Sequence, residues 1–123
     1  MKRVNLKTLS VDELVERFAE IARAQDKALL GDDVAKFKNL FTQMTEVDLE
    51  LRFRGTPARL TLLRLYDDPN CQVRLKAAKR TLGVAPQAAR SLIESIAKSS
   101  WFPQAGEAGM TLANLDSGVF KPD

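Results

Sequence analysis

The sequence predicts an all-α protein, and three observations predict it. Apolar residues recur at three- and four-residue steps through most of the chain. No segment alternates apolar and polar residues for long with period two. Pro, Gly, Asn and Asp stand where helices should start and stop. With 123 residues, 45% hydrophobic and 28% charged, the chain suits one ordinary globular domain with one core, built from about six helices.

The N-terminus, residues 1–9, is basic and expected to be loose. "SVDE" then reads as a capping box, with Ser10 and Glu13 satisfying each other's backbone donors. Val11, Leu14, Val15, Phe18, Ile21, Ala22 and Leu29 follow at helical spacing, Gly31 supplies a stop, and Asp32 is placed to cap the next helix. In that second helix Val34, Phe37, Phe41, Met44, Asp48 and Leu51 form a stripe, widened by Leu40 and Val47. Together the two make a long helical hairpin over residues 10–54. Asp48 is expected at the edge of the stripe, paired with an Arg or a backbone donor.

"RGTPAR" ends the hairpin: Gly55 gives a left-handed stop, Thr56 a cap and Pro57 the first helical position. The third helix, about 57–66, is apolar on most sides and so expected to be buried. "DDPN" is a turn from which Asn70 caps a helix running to Leu82 and stopped by Gly83. Pro86 starts the next, with a stripe of Ala88, Ala89, Leu92, Ile93, Ile96 and Ala97. Pro103 starts the last, Gly118 lies beyond its end, and 119–123 is a tail.

The net charge of +3 is unevenly spread. Segment 56–83 holds Arg59, Arg64, Arg74, Lys76, Lys79 and Arg80 against Asp67 and Asp68 alone. On a helical wheel Val73, Ala77, Thr81, Arg74, Ala78, Leu82 and Leu75 fill one arc, and Lys76, Lys79 and Arg80 the opposite one. Arg74 thus falls inside the packed arc, where a charge needs a partner, and Asp67 and Asp68 are the nearest carboxylates.

An apolar helix followed by Asp68, Pro69, Asn70, Val73, Arg74, Ala77, Ala78, Leu82 and Gly83 resembles the HEAT repeat family. The resemblance covers 56–98 well and 99–118 loosely. It implies an αα-superhelix of HEAT/ARM-like type, in which two short helix pairs over 56–118 follow the N-terminal hairpin. It also implies structural roles for Asp68 and Arg74, tying neighbouring helix pairs together. The spacing from Pro57 to Pro86 is 29 residues, short beside the ~40–47 of such repeats. Through "LVERFAEIA" and "WFPQAGEAGMTLANLDSG" the whole chain resembles a group of small bacterial HEAT-like domains to which no function is assigned.

The chain has no histidine and one cysteine, Cys71. That removes the commonest general base and every zinc site built from Cys and His. No catalytic residue, metal or cofactor is expected, and no small-molecule substrate. Glu13, Glu16 and Glu20 share a helix side but lack the Glu-x-x-His pairs of a di-metal bundle, and read as a salt-bridged face. With no span-length apolar run and no leader, the chain is expected in the cytoplasm, away from membranes.

Four features are weighed as sites. Lys76, Lys79 and Arg80, with Arg59 and Arg64 nearby in sequence, read as a solvated face or as a grip on phosphates. Cys71 reads as a small core residue or as a thiol activated by a helix start. Trp101 plugs the end of the last helix layer or, exposed, anchors a partner. Gly106 and Gly109 are expected to allow close helix packing. The leading expectation is a non-catalytic module that binds a protein partner, such as an immunity or antitoxin-like protein or an adaptor. The partner surface is assigned to Lys76, Lys79, Arg80 and Trp101. The alternative is a nucleic-acid-binding module using the basic excess of 56–83.

Overall fold

The protein, described by a computed structural model over residues 4–123, has six α-helices and no strand among those residues. Two compact units divide the chain, one ending at Thr61 and one beginning at Leu62.

The first unit is a hairpin of α1 (Val11–Leu30) and α2 (Val34–Arg54), followed by the short α3 (Thr56–Leu60). The capping box forms as expected. Glu13 N–H donates to Ser10 Oγ at 3.1 Å, and Ser10 N–H to Glu13 Oε1 at 2.9 Å. Those bonds to Ser10, the backbone one first, hold the Glu13 carboxyl below its ordinary value. At the turn the roles shift by one residue: Asp32 takes the left-handed conformation (φ 54°), and Asp33 caps α2 by accepting Lys36 N–H at 3.1 Å. Aspartate tolerates that conformation because its short side chain bonds locally.

Leu14, Phe18, Ile21 and Ala22 of α1 and Leu40, Met44, Val47 and Leu51 of α2 make the core of this unit. On α2 the buried face is rotated from the expected stripe, leaving Val34 and Phe41 exposed. Met44 and Leu51 belong to both rows, so the core follows whichever side adds Leu40 and Val47. Asp48 is buried rather than at the edge, and it accepts from Arg52 Nε at 3.0 Å.

Residues 1–3 of the N-terminus expected to be loose lie outside the described residues. From Asn5 onward the segment is tied down. Asn5 caps a 3-10 turn at Leu6–Thr8, and Arg54 Nη2 donates to the Leu6 carbonyl at 3.0 Å. Lys7 Nζ sits 3.6 Å from Glu50 and 4.7 Å from the centre of the Phe53 ring. Gly55, at φ 108° and ψ 173°, takes a backbone conformation open in practice to glycine alone. The expected third helix stays α only to Leu60 and continues as a 3-10 segment, Thr61–Asp67. Thr61 Oγ1 donates to the Ala58 carbonyl at 2.5 Å, competing for an acceptor that an α-helix would use.

In the second unit α4 (Cys71–Thr81), α5 (Pro86–Ala97) and α6 (Gln104–Asp116) surround one core. Leu75, Ala78, Leu82, Ala89, Ile93, Ile96 and Ala108 fill it with Cys71, and Leu112, Leu115 and Phe120 close it. Asn70 caps α4 by accepting Val73 N–H at 3.2 Å. Arg74 Nη1 donates to the main-chain carbonyls of Asp68 at 2.7 Å and Pro69 at 3.1 Å, while Asp68 Oδ1 accepts Asn70 N–H at 2.9 Å. Asp68 and Arg74 therefore hold the turn that launches α4, with the guanidinium on carbonyls. The tail folds back, and the backbone of Asp123 lies so close to Gly83 that a Cβ there would clash. No helix is long and apolar enough to cross a membrane among the described residues.

Ser10→Ala removes the hydroxyl that accepts from Glu13 N–H, leaving the backbone half of the box, and should lower unfolding stability by about 1 kcal/mol. Urea denaturation, with the cooperativity unchanged, measures it.

Candidate functional site

A row of side-chain bonds joins α4 to α6. Gln104 Nε2 donates to Gln72 Oε1 at 2.9 Å, with both residues buried. One turn on, Lys76 Nζ donates to Glu107 Oε2 at 2.6 Å and Lys79 Nζ to the same oxygen at 3.0 Å. The partners advance together along both helices, so α4 and α6 run parallel.

This corrects the helical-wheel expectation for the basic arc. Lys76 is not on a water-facing side: it is 6% exposed, because α4 is covered all round and buries Gln72, Val73, Leu75, Lys76, Ala77 and Ala78 alike. An ammonium in that position requires a counter-charge, and Glu107 supplies it. Lys79 is half-buried and shares the carboxylate, Arg80 is half-buried at the last turn, and Arg59 is buried in the first unit. Of the three residues assigned to that face none is fully exposed, and of the two nearby in sequence Arg59 is buried and Arg64 exposed.

The electrostatics follow from depth. Burial is the largest influence on Lys76 and pushes it below its ordinary value; Glu107 works the other way, and Lys79 and Arg80 add repulsion. Burial alone would raise the Glu107 carboxyl, but two ammonium groups and their hydrogen bonds outweigh it and hold it below 4.5. Cys71 is buried in the core of this unit. Glu16 lies 3.9 Å from Arg23, and no cluster of three or more His, Cys, Asp or Glu side chains that could hold a metal gathers among the described residues.

The inward pairing has an outward consequence. The only charges on α6 are Glu107 and Asp116. Glu107 points to α4, and Asp116 is gripped by Arg90 of α5 through two bonds of 2.9 and 3.2 Å. What remains on the outer row is Phe102, Gly106, Gly109, Met110 and Ala113, all exposed and all uncharged. Phe102 is 73% exposed, Met110 68%, and Trp101, at the start of this row, 63%.

Trp101 is therefore not a plug, since Leu112, Leu115 and Phe120 already close the core. The two glycines do not serve close packing within the chain either: nothing lies within 4 Å of where a Cβ would stand on Gly106 or Gly109. An exposed helical glycine costs about 1 kcal/mol relative to alanine, with no contact here to offset it. Sequence reasoning found Trp101 but missed Glu107 as the shared partner and Met110 as the centre of the row. The spacing 102, 106, 109, 110, 113 was the signal available for the latter.

An all-α unit with a neutral, aromatic-edged outer helix is the kind of structure found here, and the chain belongs to a family known as a domain of unknown function, DUF2019, whose model matches residues 12–116. In particular it is similar to the protein RPA1889 from Rhodopseudomonas palustris CGA009. That crystal structure superposes with a TM-score of 0.93 at 48% identity, over 98% of this chain and 100% of the other. No curated protein matches.

Glu107→Gln strands a buried ammonium and should cost about 2–3 kcal/mol, below the ~3–5 of a fully buried pair because Glu107 is partly exposed. Lys76→Met should cost less than Glu107→Gln, since the methionine needs no counter-charge and the partly exposed Glu107 keeps Lys79. Because the folded carboxyl lies below its ordinary 4.5, its contribution is complete above that pH and disappears as pH falls through the folded value. The gap between wild type and Glu107→Gln should therefore close on acidification below pH 4.5, as followed by thermal melts.

Proposed function

We propose that this chain is a non-catalytic protein-binding module of the bacterial cytoplasm, built as a short HEAT-like stack and docking a partner through the outer row of α6. The observation that carries this reading is that row: Trp101 and Phe102, just before α6, and Met110 on it stand largely exposed, and both charges of α6 are paired within the chain, Glu107 with α4 and Asp116 with Arg90 at the surface. Exposed Trp beside other large apolar side chains is the composition of interface anchors, whereas scattered single apolar residues are ordinary surface. The parallel register of α4 and α6, with α5 between them in sequence, is what stacked repeats present. In such stacks a terminal helix normally carries a polar outer face. This one does not.

An immunity or antitoxin-like protein, or an adaptor, is the form of activity such a surface suits. The basic excess of 56–83 gives less support to nucleic-acid binding, because Lys76 and Lys79 are spent on Glu107, and phosphate grip needs free cations in larger sets.

A photo-crosslinking amino acid placed at Met110 in living cells tests the proposal. Protein adducts that disappear with Trp101→Ala are expected. Adducts to nucleic acid, or oligonucleotide binding that falls steeply with salt and is abolished by Arg80→Glu, would favour the alternative.

A further inference from the structure

We infer that residues 118–123 form a releasable strap, closed over the core of the second unit by Phe120 and seated in a notch that Gly83 provides. The strap ties the end of α6 to the turn between α4 and α5, and it opens while the helices stay closed. It needs no partner and stands apart from the protein-binding reading of α6.

The notch accounts for a glycine at position 83. The backbone there does not demand one: the glycines with positive φ are Gly55 and Gly118, and Gly83 is not among them. The turn closes on ordinary bonds, with Val84 N–H and Ala85 N–H donating to the Thr81 carbonyl at 3.1 and 2.7 Å. What position 83 lacks is room. A Cβ there would overlap the main-chain carbonyl carbon of Asp123, standing 3.0 Å from its oxygen and 3.3 Å from its Cα. All three are backbone atoms, so no side-chain rotation relieves the clash. The glycine expected to stop α4 by its conformation serves instead to let another stretch of backbone approach.

Either the strap or the turn must yield to a side chain at 83, and the strap is the weaker of the two. Gly118, at φ 79°, reverses the chain after α6. Phe120 N–H then donates to the Asn114 carbonyl at 3.0 Å, and its side chain packs on the cluster that includes Leu75, Leu82 and Ile93. Phe120 is the one residue of 118–123 that is not exposed, and the segment has no helix of its own. The turn, by contrast, is flanked by Leu82 and Ala89, both buried. A segment with a single buried apolar anchor and no regular structure opens locally at a lower cost than the whole fold. Opening lifts the Phe120 ring away and uncovers part of the apolar cluster beneath it.

Amide hydrogen exchange of the full chain, followed residue by residue by NMR, tests this. In wild type the Phe120 amide should be protected, yet about tenfold or more less so than the Ile93 amide in α5. Gly83→Ala should lower Phe120 protection by about tenfold or more and leave Ile93 as it was. Phe120→Ala, which removes the anchor and keeps the notch, should strip protection from the amide at 120 to a similar degree. A wild-type Phe120 amide that is unprotected, or as protected as Ile93, overturns the inference. So does Gly83→Ala that leaves Phe120 protected or lowers Ile93 along with it, and so does Phe120→Ala that keeps the amide at 120 protected.

Discussion

One carboxylate does two jobs in this protein. Glu107 offers a single oxygen to Lys76 and Lys79, 2.6 and 3.0 Å away, and so lets α4 be buried on every side although its sequence carries basic residues through the middle. Without it, an ammonium that is almost wholly out of water would have no counter-charge, and α6 would lose the contact that sets its rotation. The same bond turns the first-turn charge of α6 inward. Neutrality outside is thus a product of pairing inside, and the exposed row of Phe102, Gly106, Gly109, Met110 and Ala113 exists because Glu107 is occupied elsewhere.

Arg90 repeats the logic at the other end of α6. Its two bonds to Asp116 are exposed and contribute little to stability taken singly. Their effect is on the surface, where they remove the last free charge from the helix and fix α5 against it. The buried Gln72–Gln104 bond adds a neutral register mark one turn before the ion pair. Three polar contacts of different strength therefore specify how α6 lies, while the apolar core beneath supplies most of the energy and little of the specificity.

The fold was legible in the sequence where local chemistry decides. The Ser10 box and the Asn70 cap act within three residues, so reading neighbours along the chain suffices to find them. The turn at Asp32 was displaced by one residue because two adjacent aspartates can divide the cap and the left-handed position either way. The site was less legible. A helical wheel sorts Lys76 by its own helix, and nothing within reach of it points to a glutamate 31 positions later. Trp101 read from sequence either as a plug for the last helix layer or as an exposed anchor, and the choice depended on Leu112, Leu115 and Phe120, which close the core without it. Gly106 and Gly109 were expected to pack within the chain, and the space over them is open. The residues that resisted reading from sequence are those whose partners lie far along the chain or whose surroundings are open.

Amide hydrogen exchange along α6 in wild type and Glu107→Gln tests the central claim most directly. If the shared carboxylate is what holds α6 in place, the variant should lose protection selectively from Gln104 through Thr111 while α4 and α5 keep theirs. Protection in α6 that is unchanged by the substitution would contradict the account.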